Sequence, residues 1–250
     1  MALEARCHQR LADHEARALP AQGEPLSRRR LSRSFYERPA VVVAPGLLGR
    51  TLVRRLSDGT RLAGRIVETE AYEPGDPASH GFHGMTARNA VMFGASGHLY
   101  VFFTYGHHHM LNAVTRGEGE GSAVLLRAIE PLEGLESMST ARGRALPVDL
   151  CSGPGKLTQA LSVNRAHDGA DLVGGDEIWL EAGSPAAPGD VGTSVRVGIS
   201  AGLEHRWRFF ISGDPFVSRG RPGPVSGPMT RSSTVPVGRS PKAPRPPATR

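Results

Sequence analysis

The stretch that decides the fold is residues 61–72, "RLAGRIVETEAY". Over its second half, two glutamates and a tyrosine alternate with valine, threonine and alanine. Successive side chains of a strand point to opposite faces. Glu68, Glu70 and Tyr72 then share one face, and Val67, Thr69 and Ala71 the other. A strand that gathers two like charges and a ring on one side is either a solvated edge or part of a reaction site. The stretch alone leaves both open.

Working outward, more strand-like runs follow: "GHLYVFFTYG" (97–106), "MLNAV" (110–114), "SAVLLRAI" (122–129), "DEIWLEAG" (176–183), "TSVRVGIS" (193–200) and "RWRFFIS" (206–212). "EPLEGLESMSTARGR" reads as a helix, with Leu132, Leu135 and Met138 on one side. "SGPGKLTQALSV" reads as a second, with Ser152 as a candidate N-cap and Pro154 in the first turn. "SFYERPAVVVAPGLLGR" fits helix or strand, with Ser34 a candidate cap and a break at Pro45-Gly46. Strands dominate, helices intervene, and there is no long βαβ alternation. The fold class is therefore α+β, with a mixed or mostly antiparallel sheet.

Residues 1–30 are polar, Arg-rich and lack an apolar stripe, so a poorly ordered start is expected. A globular unit is expected over 31–218, and a disordered Pro/Arg-rich tail over 219–250. From Pro215 onward there are seven basic residues and no acid, a formal +7 against +6 for the whole chain, which leaves residues 1–214 at −1. Net charge thus supports a nucleic-acid partner only weakly, and any basic face on the body must be local. No apolar run has the length of a membrane span. The start lacks the apolar core of a secretory signal. Cys7 and Cys151 form no zinc or redox motif. A cytoplasmic, reducing location is expected.

Several candidates for chemistry remain. In "GHHHML" (106–111), His107 and His109 would share a strand face, with His80 or His83 as further ligands. No metalloenzyme motif surrounds them, so packing beside a site is preferred and no metal is expected. Lys156 follows two glycines at a probable helix start without Walker spacing. Its candidate roles are a Schiff-base nucleophile or, preferred, an anion contact such as a DNA phosphate. In "LYVFFTYG", Tyr100 and Phe103 read as core, whereas Tyr105, just before Gly106, reads as a wedge at a turn. A glutamate among rings and histidines suits a general base. A Glu68/Glu70 pair would suit a small-molecule glycosidase.

The ordered set "LLGRTLVRR", "GRIVETEAY…DPASHG", "MTARNAVMF", "GHLYVFFTYGHHHMLNAV", "AVLLRAIEPLEGLE", "LCSGPGKLTQAL" and "RWRFFISGDPFVS" resembles the alkyladenine (3-methyladenine) DNA glycosylase family over residues 35–218. The resemblance implies a single α+β domain around a curved, mostly antiparallel sheet. It implies a monomeric base-excision repair enzyme, without metal or organic cofactor, acting on alkylated or deaminated purines in double-stranded DNA. By motif, Glu70 corresponds to the water-activating base and Arg127 to the arginine beside that water. Tyr72, His80 and Phe102 correspond to the walls around the flipped base, and Asn112 to the residue that screens purines. Tyr105 corresponds to the residue inserted into the duplex. Phe102 stands where relatives often carry tyrosine, and His107 where methionine is common.

Overall fold

The computed structural model describes residues 28–220, apart from Tyr105 and His107. The expectations for the N-terminal segment up to residue 27, for all but the first two residues of the tail, and for Tyr105 and His107 thus fall outside the described residues. Arg30, the last residue of that segment, forms a β-bridge with Glu181.

The architecture is one α+β domain around a curled antiparallel half-barrel sheet. Its strands are β1 (Thr51–Arg55), β2 (Arg61–Tyr72), β3 (Leu99–Thr104), β4 (His108–Thr115), β5 (Ser122–Glu133), β6 (Ile178–Glu181), β7 (Val191–Ser194) and β8 (Arg208–Ile211). The main path runs β3-β4-β5-β2-β1-β6, and β8 pairs with both β2 and β7. Every strand pair is antiparallel.

β2 is the axis of this arrangement. One of its edges pairs with β5 from Ala63 to Tyr72. Its other edge is divided: Arg61–Arg65 pair with β1, and Glu68–Glu70 pair with β8. Register shifts at Ala63/Gly64, Ile66/Glu68 and Glu68/Thr69 interrupt the β5 ladder. Such irregularities bend a strand and increase its twist. They curl the sheet at the point where its second edge changes partner.

Among the described residues five α-helices join the sheet: α1 (Arg33–Tyr36), α2 (Ala40–Leu47), α3 (Leu135–Arg142), α4 (Pro147–Leu150) and α5 (Pro154–Ala160). The ambiguous stretch before β1 thus becomes two helices, and Pro45 lies within α2 rather than breaking it. α1 begins after Ser32, so Ser34 sits inside it rather than capping it. α3 starts only after Gly134, because Leu132 still belongs to β5, and of the three expected apolar positions only Met138 is buried. α5 opens on Pro154 with Gly153, not Ser152, at its N-cap. The run 193–200 is a strand only to Ser194 and continues as an irregular segment. The largest core lies on the face of β2 that carries Ala71, where Ala40, Val43, Ala44 and Leu47 of α2 meet Ile66, Val124, Leu126 and Ile129. Thr69, on that same face, donates its hydroxyl to the Ala44 carbonyl at 2.9 Å.

Gly64 marks how tightly β2 and β5 approach at the first irregularity. A Cβ there would lie 2.6 Å from Ile129 Cδ1 and 2.7 Å from the Glu130 carbonyl oxygen. Gly64→Ala should therefore cost about 1–3 kcal/mol of overpacking strain. The measurement is a lowered urea midpoint with an unchanged m-value.

Candidate active site

The alternation read in "VETEAY" holds for Glu70 and Tyr72 against Thr69 and Ala71, but the register shifts around Glu68 take Val67 out of the Ala71 core and into a separate cluster with Ala128 and Phe216. The glutamates are buried. Glu68 and Glu70 have no exposed surface. Two like charges out of water need opposite charges at hydrogen-bond range. Neighbouring strands supply them. Arg127 of β5 donates from Nε to Glu68 Oε1 at 2.7 Å, and its Nη1 lies 3.3 Å from Glu70 Oε2. Arg208 of β8 donates from Nε to the same Glu68 oxygen at 2.7 Å. Ser218 adds its backbone N–H to Glu68 Oε2 and its hydroxyl to Oε1, at 2.7 and 2.9 Å. Burial works to raise the Glu68 carboxyl, but Arg127 and Arg208 outweigh it and hold it below the usual carboxylate range. For Arg127, burial opposes the charge, while Glu70 and then Glu68 more than restore it. Glu68 is thus a structural counter-ion and not a solvated edge.

Glu70 is held differently. Its Oε1 accepts the Val197 N–H at 2.7 Å, and its Oε2 accepts the Tyr72 hydroxyl at 2.9 Å. Burial, then the neighbouring Glu70 charge, pushes the Tyr72 phenol well above its ordinary value. It therefore remains a protonated donor to that carboxylate.

In front of Glu70 opens a cavity of about 310 Å³ lined by Tyr72, His80, Phe102, Asn112 and Arg127, among others. Five residues singled out in the sequence are thereby brought to one space. Glu70 itself does not line it, but all three of its partners, Tyr72, Arg127 and Val197, do. The walls follow from strand alternation. Tyr100, Phe102 and Thr104 face the cavity from β3, Met110 and Asn112 from β4, and Ala123, Leu125 and Arg127 from β5. Asn112 is oriented by donating Nδ2 to the Tyr100 carbonyl at 3.1 Å. His80 arrives on the long irregular segment 73–89, its ring 4.2 Å from that of Phe102. Its Nδ1 lies 3.0 Å from the Tyr100 hydroxyl. Burial, followed by Arg88, pushes His80 below its ordinary value, and burial pushes Tyr100 up to about 12.

Tyr100 is core as expected, packed with Met92, Val114 and Ala123, and it also lines the cavity and meets His80. One aromatic assignment needs correction. Phe103 is 47% exposed and packs beside His109 instead of entering the core. The residues that sequence reading missed are Arg208, Ser218 and the wall segment Val197–Ile199. Arg208 and Ser218 lie inside the quoted run "RWRFFISGDPFVS", but nothing local singled them out: Arg208 and Ser218 act through Glu68, and Val197 through Glu70, both on distant β2. Lys156 stands in the first turn of α5, two residues after the lining residue Pro154, and donates to Ser152 Oγ at 3.1 Å. Tyr105 lies outside the described residues. The neighbouring Gly106 forms the expected turn, with φ +75°. Among the described residues no three His, Cys, Asp or Glu side chains are placed to hold a metal, and no helix is long and apolar enough to cross a membrane.

Known proteins connect this geometry to a reaction. Three similar chains each bear the name "Putative 3-methyladenine DNA glycosylase". The one from Chlorobaculum tepidum is 49% identical over 197 residues, covering 78% of this chain and 94% of the relative. That from Chlorobium phaeovibrioides is 50% identical over 194 residues, covering 77% and 98%. That from Carboxydothermus hydrogenoformans is 45% identical over 189 residues, covering 76% and 98%. The class is thus DNA glycosylase, a DNA-repair hydrolase of N-glycosyl bonds whose substrate is DNA. More narrowly, residues 34–215 match the family described as methylpurine-DNA glycosylase (MPG), and the chain belongs to that family.

Removing the Glu68 charge would leave two buried guanidinium groups short of a counter-ion. Glu68→Gln should cost about 3–5 kcal/mol. A carboxyl held below its usual range contributes stability that is present above its unfolded-state value and lost as the pH falls through its folded-state value. The wild-type advantage over Glu68→Gln should therefore be full near neutrality and shrink as the pH drops below the usual carboxylate range. Urea unfolding of both proteins across that acid range measures it.

Proposed function

We propose that this glycosylase rotates alkylated or deaminated purines (3-methyladenine, 7-methylguanine, hypoxanthine) out of duplex DNA and hydrolyses the glycosidic bond with water activated by Glu70. The observation that carries this reading is the Glu70 carboxylate held behind the ring-walled cavity by Tyr72, Arg127 and the Val197 N–H.

The steps follow from the groups at hand. A stacked duplex hides the sugar carbon, so extrusion costs about a few kcal/mol, least for a damaged, poorly paired base. Stacking on aromatic side chains returns about 1–3 kcal/mol per base, and Tyr72, His80 and Phe102 are the surfaces for it. Asn112 screens the purine edge by its amide. A carboxylate oxygen has two lone pairs. Oε1 of Glu70 accepts only from Val197 among the described residues, so it retains one with which to orient water. That water attacks C1′ as the C1′–N9 bond breaks and positive charge develops on the sugar. The water's proton passes to Glu70, and the electron pair of the broken bond leaves with the purine, which departs neutral where alkylation had made it cationic and takes a proton from solvent where it is hypoxanthine. Arg127 remains a cation and holds the carboxylate in place. Tyr105 fills the gap left in the stack, and Lys156 contacts a phosphate. The unit acting is residues 31–218, working as a cytoplasmic monomer.

Two alternatives lose support. A glycosidase acid/base pair needs Glu68 as a proton donor, but Glu68 is held ionised by two arginines and occupied by Ser218. A Schiff-base mechanism needs Lys156 at the sugar, but its ammonium is turned to Ser152.

Glu70→Gln should lower single-turnover base release by about 10²–10⁴-fold, the usual contribution of a general base, while lesion-duplex affinity stays near that of the wild type. Near-normal release would remove Glu70 from its role. Borohydride should trap no adduct, and free nucleosides should release no base. Tyr105→Ala should slow excision from matched duplexes more than from mispaired ones. Equal slowing would mean that Tyr105 is not the wedge.

A further inference from the structure

Two irregular segments wall the cavity: 73–89, which brings Ala78 and His80, and 195–206, which brings Val197, Gly198 and Ile199. No strand ladder aligns one with the other. What joins them is a buried ion pair outside the cavity lining. Arg196 has no exposed surface, and neither does the side chain of its partner Asp76. Arg196 Nη1 donates to Asp76 Oδ2 and, at 3.0 Å, to the Ala71 carbonyl at the end of β2. Its Nη2 donates to Asp76 Oδ1 at 2.9 Å and to the Gly202 carbonyl at 3.5 Å. Asp76 Oδ1 in turn accepts the Ala78 N–H at 3.0 Å.

The same guanidinium lies 4.7 Å from the centre of the Tyr72 ring and 5.3 Å from that of Trp207. Trp207 is itself stacked on His205, with centroids 3.9 Å apart and planes 3° apart. Because Arg196 is fully buried and absent from the cavity lining, it supports Tyr72 from the side away from the cavity. Gly202 (φ +64°) closes over the pair, and a Cβ there would lie 2.8 Å from both Arg196 Nη2 and Asp76 Oδ1.

We propose that Arg196 and Asp76 are positioning residues for base excision. As a latch they hold the two wall segments and Tyr72 at the spacing that keeps an extruded purine aligned with Glu70. The latch acts through three neighbours: Tyr72 beneath the guanidinium, Ala78 on the Asp76 carboxylate, and Val197, the next residue, on Glu70. A buried ion pair is seldom worth much as net stability. Its planar, two-pronged geometry is what a lysine cannot reproduce. This inference rests on reading the cavity as the base pocket.

The test compares Arg196→Lys and Asp76→Asn with the wild type on two duplexes, one with a single hypoxanthine and one with a stable abasic-site analogue. The abasic duplex puts no base in the cavity. Misplacement by about an ångström costs about 100-fold in rate, so single-turnover excision should fall by about 10–100-fold. Abasic-duplex affinity should stay within about twofold. Gly202→Ala, which presses on the pair without altering a charge, should give the same split and serves where either charge variant fails to fold. Excision at the wild-type rate in folded variants overturns the latch. So does a parallel loss of excision and abasic-site binding, which marks a merely structural pair. Should the wild type release no purine from alkylated or hypoxanthine duplexes, the base-pocket reading fails and the latch with it. A wild type that excises, beside variants that match it, fails the latch alone.

Discussion

The structure depends on one carboxylate that does no chemistry of its own. Glu68 draws Arg127 of β5, Arg208 of β8 and Ser218 to a single point on β2. An uncompensated charge at that depth would cost several kcal/mol, so the strands carrying the counter-charges must meet there or the face cannot be buried. That requirement fixes which side of the sheet becomes the pocket. It also leaves Arg127 with a second hand for Glu70, so that a structural ion pair and the proposed base share one guanidinium.

The sheet and the loops divide the work. Paired strands supply the charged base of the cavity and most of its apolar wall, where hydrogen-bonded register fixes each position. The irregular segments supply His80 and Val197–Ile199, where shape is set by side chains instead. Three buried carboxylates (Glu68, Glu70, Asp76) stand against three buried guanidinium groups (Arg127, Arg196, Arg208) around this site. The balance lets so many charges sit out of water while the aromatic walls remain apolar.

Much of this was legible in residues 61–72. Period-two alternation put Glu68, Glu70 and Tyr72 on one face, and the structure keeps them there. Whether that face met solvent or a cavity was not legible, because burial is decided by Arg127 and Arg208, which lie 59 and 140 positions from Glu68. Tyr100 is core, as its sequence reads, but that it also stands at the cavity wall beside His80 was not legible, because apolar alternation cannot distinguish a ring beneath a sheet from one at a cavity wall. Phe103 was misplaced because the same alternation cannot tell whether a ring near the end of β3 is covered; it stays half-exposed beside His109. Arg196 and Asp76 were invisible, since nothing local marks a loop arginine whose partner lies 120 positions away.

The β3–β4 hairpin has a mechanical consequence. Thr104 is the last β3 residue of the cavity wall, and the chain turns at Gly106, two residues on. At about 3.3 Å per residue, the tip can project roughly 7 Å past that wall. Adding or deleting a pair of residues at the turn, one in each strand, would lengthen or shorten this arm in steps of about 3.3 Å, with Tyr100, Phe102 and Asn112 undisturbed. The length of the arm and the lining of the cavity are thus adjustable separately along a single ribbon, giving such a scaffold a way to change how far it extends without changing the walls of its pocket.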